Sequence, residues 1–259
     1  MTARSLEALD SFVAGVRLLS LDAGNTVIFM DHARIARIVA EEGGAGIAVS
    51  RETLIRCEGE GKRLLDDGYG ERPRWDFEDL PGARGWGRYI GSMLAQAGIE
   101  RPRIPELLAR LWKSHMELNL WWVVPEGMGV ALDAVRAIGV KVVVVSNSEG
   151  THEELFTRLG IKKHFDLLVD SGKVGVEKPD PGIWQIALAA YPTPPDRVLH
   201  LGDTYATDIA GAKALGFRAG LIDPFGHYDG RHADVQRVPG VVEVAEAIVR
   251  SASRFPPAP

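Results

Sequence analysis

The chain has 259 residues, 46% hydrophobic and 25% charged, with a formal net charge of −5. That length can bury a sizeable core in one domain or two, and the composition is that of a globular protein. The acidic balance argues against a nucleic-acid partner, and the single cysteine, Cys57, excludes an internal disulfide and a thiolate metal site.

The first 15 residues mix Arg4, Glu7 and Asp10 with apolar side chains, so they do not read as a signal peptide. An apolar run at 16–21 then reads as a buried strand, ended by Asp22 and the turn residues Gly24-Asn25. From about 31 to 122 the pattern is helical, with helices predicted at 32–42, 51–66, 85–97 and 105–118. Breaks such as Asp67-Gly68-Tyr69-Gly70 and Leu80-Pro81-Gly82 separate them. From Gly127 onward helices at 130–138, 153–159, 182–190, 209–215 and 241–250 alternate with strands at 140–145, 166–169, 198–201 and 219–222. No apolar run is long enough to span a bilayer, so no membrane partner and a cytoplasmic location are expected. The tail Phe255-Pro256-Pro257-Ala258-Pro259 reads as a frayed end.

Strands this apolar, alternating with helices, predict an α/β fold with a Rossmann-like parallel sheet covered by helices on both faces. The first strand belongs with the later ones. The expected division is therefore an α/β core of residues 1–30 and 123–259 and a helical cap of residues 31–122, with hinges at 29–31 and 121–126. Trp75, Trp86, Trp112, Trp121 and Trp122 of the insertion are read as packing groups. Right-handed crossovers bring the carboxyl ends of the strands to one edge, where such folds bind ligands and where an insertion after the first strand would act as a lid.

Four polar features fall on that edge. Asp22 and Thr26 follow the first strand, and Ser146-Asn147-Ser148 follows the strand at 140–145. A hydroxyl and backbone N–H groups before a helix suit an oxyanion. Lys178, in Glu177-Lys178-Pro179-Asp180-Pro181, sits on a backbone stiffened by two prolines and offers a fixed ammonium. Gly202-Asp203 and Asp208 give two carboxylates five residues apart at a strand end, the donor type that a hard cation such as Mg²⁺ selects. Each feature alone also reads as an ordinary turn, cap or surface group.

Taken in this order, the features resemble the haloacid dehalogenase-like hydrolase superfamily. Asp22-Ala23-Gly24-Asn25-Thr26 is similar to its nucleophile loop, Ser146-Asn147 to its phosphate-binding loop, Lys178-Pro179 to its lysine motif, and Gly202-Asp203 with Asp208 to its acidic motif. The resemblance implies a Mg²⁺-dependent phosphate-monoester hydrolase acting on a small phosphorylated or otherwise anionic substrate. It implies Asp22 as nucleophile, Lys178 as charge neutraliser, and Thr26, Ser146, Asn147 and Lys178 as phosphate-binding residues. The metal ligands would be Asp22, the Gly24 carbonyl, Asp203 and Asp208. The chain departs from the family pattern at Gly24, where a second aspartate usually protonates the leaving group and activates water. Loss of such a group costs on the order of 10²–10⁴ in rate unless another residue replaces it. His32, His115 and Arg88 carry suitable chemistry. Alternatives with the same architecture are a metal-free haloacid dehalogenase, a phosphonate-cleaving enzyme with Lys62 or Lys113 as its imine lysine, or a binding or regulatory protein.

Overall fold

The structure is a computed structural model that describes residues 3–42, 48–68 and 83–254. Trp75, the breaks at 69–70 and 80–82, and the tail at 255–259 lie outside them. In chain order the elements are α1 (Ala3–Val13), β1 (Leu18–Leu21), β2 (Phe29–Met30), α2 (His32–Glu42), α3 (Arg51–Asp66), α4 (Ala83–Gln96), α5 (Ile104–Glu117) and β3 (Trp121–Val123). They continue with α6 (Met128–Ala137), β4 (Lys141–Ser146), α7 (His152–Arg158), β5 (Leu167–Asp170), α8 (Ser171–Val174) and α9 (Gly182–Ala190). The chain then forms β6 (Val198–Gly202), α10 (Ala210–Ala214), β7 (Arg218–Ile222), β8 (Gln236–Val238) and α11 (Val241–Arg254).

Two compact units result. One comprises residues up to 28 together with 124–224 and 232 onward; the other comprises 29–123 and 225–231. The first holds a parallel six-stranded sheet in the order β5-β4-β1-β6-β7-β8. This is the α/β, Rossmann-like architecture that the alternation of elements predicts. β1 is central, with Leu21 opposite both Val144 and Leu201, so Asp22 emerges between two neighbouring strand ends. Val142, Val143, Val144 and Val145 of β4 are all buried, which is why that strand reads as an unbroken apolar run.

One sheet face packs on α9 and α10 through Ile183, Trp184, Ala187 and Ala212. Elsewhere α6, α1 and α11 pack together, burying Leu132, Val135, Leu9, Val13, Val244 and Ile248. Arg250 ties α11 to α1 through Asp10 at 3.0 Å. Gly139 (φ 85°) and Gly216 (φ 76°) take left-handed conformations just after α6 and α10, which end those helices.

The second unit packs α2 to α5 around Ile35, Leu54, Ile90, Met93, Leu107 and Leu111, each worth about 1.5–3 kcal/mol when fully buried. Ser50 caps α3 by accepting from the Thr53 amide at 3.1 Å. Trp86, Trp112 and Trp121 pack in one aromatic group with His115, whereas Trp122 is exposed and donates to Asp31 at 3.0 Å.

The sequence reading missed five elements, among them α8, four residues directly after β5. α1 is amphipathic but was read only for what it excluded, and β8 is three residues at a sheet edge. β2 and β3 form a short antiparallel ribbon within the segments read as hinges. The predicted helix at 209–215 is also different: a π turn occupies Tyr205–Ile209 before α10 begins. Among the described residues, no helix is long and apolar enough to cross a membrane.

Candidate active site

Asp22 is the first residue beyond β1, and its amide donates to the Leu201 carbonyl at 2.8 Å. The loop then closes on Ala23, whose carbonyl accepts from Thr26, Val27 and Ile28. This tight turn is possible because Asn25 adopts φ 51°, a left-handed conformation that asparagine tolerates better than most residues. Gly24 bridges to Ile28, and the Asn25 side chain reaches across to Asp203 Oδ2 at 3.2 Å. Thr26 is buried in the same turn, and its hydroxyl has no hydrogen-bond partner among the described residues.

Asp203 follows β6 on the adjacent strand end. Asp208 reaches the same place through the π turn, whose wider winding lets the Asp208 and Ile209 amides both donate to the Thr204 carbonyl. The Asp208 carboxylate in turn accepts from the Thr204 amide at 3.0 Å. A side chain at position 202 would overlap the Asp208 carboxyl, so Gly202 is required for this close approach.

Lys178 enters from the loop before α9, preceding a cis peptide bond to Pro179. Its Nζ lies 2.5 Å from Asp22 Oδ1 and 2.6 Å from Asp208 Oδ1. Ser146 ends β4, beside β1, and is buried. Asn147 joins the two loops: its Nδ2 donates to the Lys178 carbonyl at 2.9 Å, and the Lys178 amide donates back to its Oδ1 at 2.7 Å. The helix that follows Ser146-Asn147-Ser148, predicted at 153–159, spans His152–Arg158. The amide of His152 turns instead to Asp170, so a loop rather than a helix terminus borders Ser146.

One ligand atom each from Asp22, Asp203 and Asp208 lies within 4.8 Å of the others, and all three residues are buried. Three carboxylates against the single ammonium of Lys178 leave a formal excess of two negative charges. Burial pushes the Asp22 carboxyl up, Lys178 pulls it back, and Asp208 and Asp203 push it up again, leaving it well above the usual carboxylate range. Asp208 is also desolvated, but Lys178 and His200 hold it below that range. Three buried carboxylates offering hard oxygen donors within a few ångströms fit a small divalent cation such as Mg²⁺.

Two residues here escaped the sequence reading. His200, inside β6, is fully buried, and its Nδ1 faces Ser20 Oγ at 2.9 Å and the Trp184 indole N–H at 3.5 Å. Because the indole only donates, Nδ1 is the acceptor, and Nε2 carries the proton 3.5 Å from Asp208 Oδ1. A histidine inside an apolar strand gives no signal beyond its position. The other is Asp170, which ends β5 as Asp22 ends the run before it; that shared pattern was legible.

The second unit carries its own buried polar group. Glu58 Oε2 pairs with His32 Nε2 at 3.0 Å, and its Oε1 accepts from Tyr89 OH at 2.8 Å. Lys62, equally buried, adds positive charge to it. His115 is instead surrounded by tryptophans and accepts from the Leu120 amide at 3.2 Å.

The family profile described as haloacid dehalogenase-like hydrolase matches residues 16–216. The mouse (Mus musculus) protein named haloacid dehalogenase-like hydrolase domain-containing protein 3 is 39% identical over 213 residues, which cover 80% of this chain and 82% of that protein. A phosphoserine phosphatase from Thermus thermophilus is 29% identical over 137 residues, covering 52% of this chain and 53% of the enzyme. The structure described as a HAD-hydrolase, YfnB, from Bacillus subtilis bound to magnesium superposes with a TM-score of 0.63 at 14% identity. It covers 90% of this chain and 98% of that one, a likeness of fold.

Proposed function

The chain belongs to the haloacid dehalogenase-like hydrolase family, and from that premise we propose that it is a Mg²⁺-dependent phosphate-monoester hydrolase working through an aspartyl-phosphate on Asp22. The observation that carries the reading is the buried trio Asp22, Asp203 and Asp208, of which Asp22 and Asp208 pair with Lys178. Metal-free dehalogenation would have no use for the Asp203 and Asp208 carboxylates beside the nucleophile.

In this reading Asp22, the Gly24 carbonyl, Asp203 and Asp208 are the groups that would hold Mg²⁺. A bound ion there would supply positive charge to the phosphoryl oxygens. Asp22 Oδ attacks phosphorus, the bond from phosphorus to the ester oxygen breaks, and the alcohol oxygen leaves with the electron pair. Water then attacks the aspartyl-phosphate at phosphorus and gives up a proton to solvent, from which the departed oxygen takes one; orthophosphate is released and the carboxylate regenerated. Lys178 holds Asp22 in place and balances charge on the transferring group, while Ser146 and Thr26 offer hydroxyls to its oxygens. Asn147 acts through its clamp on the Lys178 backbone.

Gly24 supplies no proton to the leaving group, so substrates with acidic leaving groups are preferred. The core is residues 1–30 with 123–259, and the helical insertion of residues 31–122 selects the substrate, a small phosphorylated molecule. A cytoplasmic location suits such a substrate. The test is hydrolysis of p-nitrophenyl phosphate with Mg²⁺ and with a chelator. Release of nitrophenol only with the metal supports the reading; halide release from 2-haloacids in the presence of chelator, without phosphatase activity, contradicts it.

A further inference from the structure

The loop that follows Ser146 is held from the neighbouring strand by one carboxylate. Asp170 ends β5 directly opposite Ser146 in the strand register and is 4% exposed. Its Oδ1 accepts from the amides of Gly150 and Gly172, each at 3.0 Å, and its Oδ2 accepts from the amide of His152 at 3.1 Å. Beside it Ser171 Oγ accepts from the Ser148 amide at 3.0 Å and donates to the Ser148 carbonyl at 3.2 Å. A side chain at Gly172 would overlap the backbone at Glu149 and Gly150, so the two segments meet main chain against main chain.

From this arrangement we infer that Asp170 is the positioning residue of the oxyanion-binding loop, fixing residues 147–152 so that Ser146 faces the phosphoryl group in one orientation. The inference rests on the phosphate reading above. Hydrogen bonds from amides to a carboxylate are roughly twice as strong as neutral ones, and three of them converge here. A loop left to itself has many near-equal conformations, and a shift of about 1 Å in a positioning group is costly to turnover. The negative charge of Asp170 is taken up by these three amides, with the His152 ring nitrogen 3.4 Å away. Asp166 provides the contrast: at the opposite end of the same strand pair it accepts from the Val142 amide at 3.0 Å and from Arg136 at 3.2 Å. It performs the same kind of anchoring away from Ser146.

The test compares wild type, Asp170→Asn and Asp166→Asn for p-nitrophenyl phosphate turnover in Mg²⁺, inhibition by orthophosphate, Mg²⁺ half-saturation and thermal midpoint. Asp170→Asn is expected to raise the orthophosphate inhibition constant roughly tenfold while Mg²⁺ half-saturation stays within about twofold. Asp166→Asn, with a comparable loss of thermal midpoint, is expected to leave both within about twofold. An unchanged inhibition constant in Asp170→Asn, or an equal rise in Asp166→Asn, overturns the inference. If Asp170→Asn does not fold, Ser171→Ala is read in the same assay. A rise of about threefold supports the inference, and none overturns it. A wild type that neither hydrolyses phosphate esters nor binds orthophosphate removes the phosphate reading, and this inference with it. A fully active wild type with unaffected Asp170→Asn removes this inference alone.

Discussion

The Nζ of Lys178 lies 2.5 Å from Oδ1 of Asp22, although 156 positions separate them in the chain. The same ammonium is 2.6 Å from Asp208, so one buried cation serves two buried anions. Removing one partner of a buried ion pair costs about 3–5 kcal/mol, because the remaining charges stay desolvated. Lys178→Ala is therefore expected to lower the thermal midpoint measured without metal, and Mg²⁺ is expected to restore part of the loss. A variant as stable as wild type without metal would show that the pair is not formed.

Metal binding to the folded state alone stabilises it by about 2.7 kcal/mol at a hundred times its dissociation constant. Wild type is expected to melt several degrees higher in saturating Mg²⁺ than in chelator, and Asp203→Asn and Asp208→Asn to lose most of that difference. Gly202→Ala should do the same by displacing the Asp208 carboxyl that it would overlap. Calorimetric titration with Mg²⁺ checks all three.

The glycine at position 24 sets the leaving-group preference. Aryl phosphates, whose phenoxides leave without a proton, are expected to exceed alkyl phosphates in kcat/KM by about 10²-fold or more. Gly24→Asp is expected to narrow that gap by raising the alkyl rate. Equal rates for aryl and alkyl esters in wild type would mean that another group supplies the proton.

Glu58 links the second unit to pH. Burial works to raise its carboxyl, but the His32 hydrogen bond and the charges of Lys62 and His32 prevail and lower it from 4.5 to about 2. A group whose folded value lies below its unfolded one stabilises above the unfolded value and loses that contribution as pH falls through the folded one. The depression is worth on the order of 3 kcal/mol, present above about pH 4.5 and fading towards about pH 2. Glu58→Gln is expected to be less stable than wild type at neutral pH, with the difference shrinking across that window. A difference independent of pH would mean that the carboxylate charge plays no part.

The strand ends were legible because a parallel sheet needs apolar runs, and a polar residue that interrupts one marks the edge. Asp22, Ser146, Gly202 and Asp203 all announced themselves in that way. Asp170 carried the same mark yet went unremarked, since its strand is short. The π turn was hidden because Tyr205–Ile209 has no residue type that distinguishes it from an ordinary helix start. β2 and β3 pair across more than ninety residues of chain, and nothing local in a two- or three-residue strand reveals its partner. His200 and Glu58 are buried polar groups whose side-chain hydrogen-bond partners come from other elements of the chain.

The central claim is that the Asp22 carboxylate takes the phosphoryl group from the substrate. Rapid quenching of the enzyme during turnover of p-nitrophenyl phosphate in Mg²⁺, followed by mass spectrometry of the peptide containing Asp22, reads this directly. The account predicts a phosphoryl group on Asp22 that appears and decays at the rate of turnover and is absent in Asp22→Asn, which is inactive. Steady hydrolysis with Asp22 never labelled, and with Asp22→Asn as active as wild type, would contradict it.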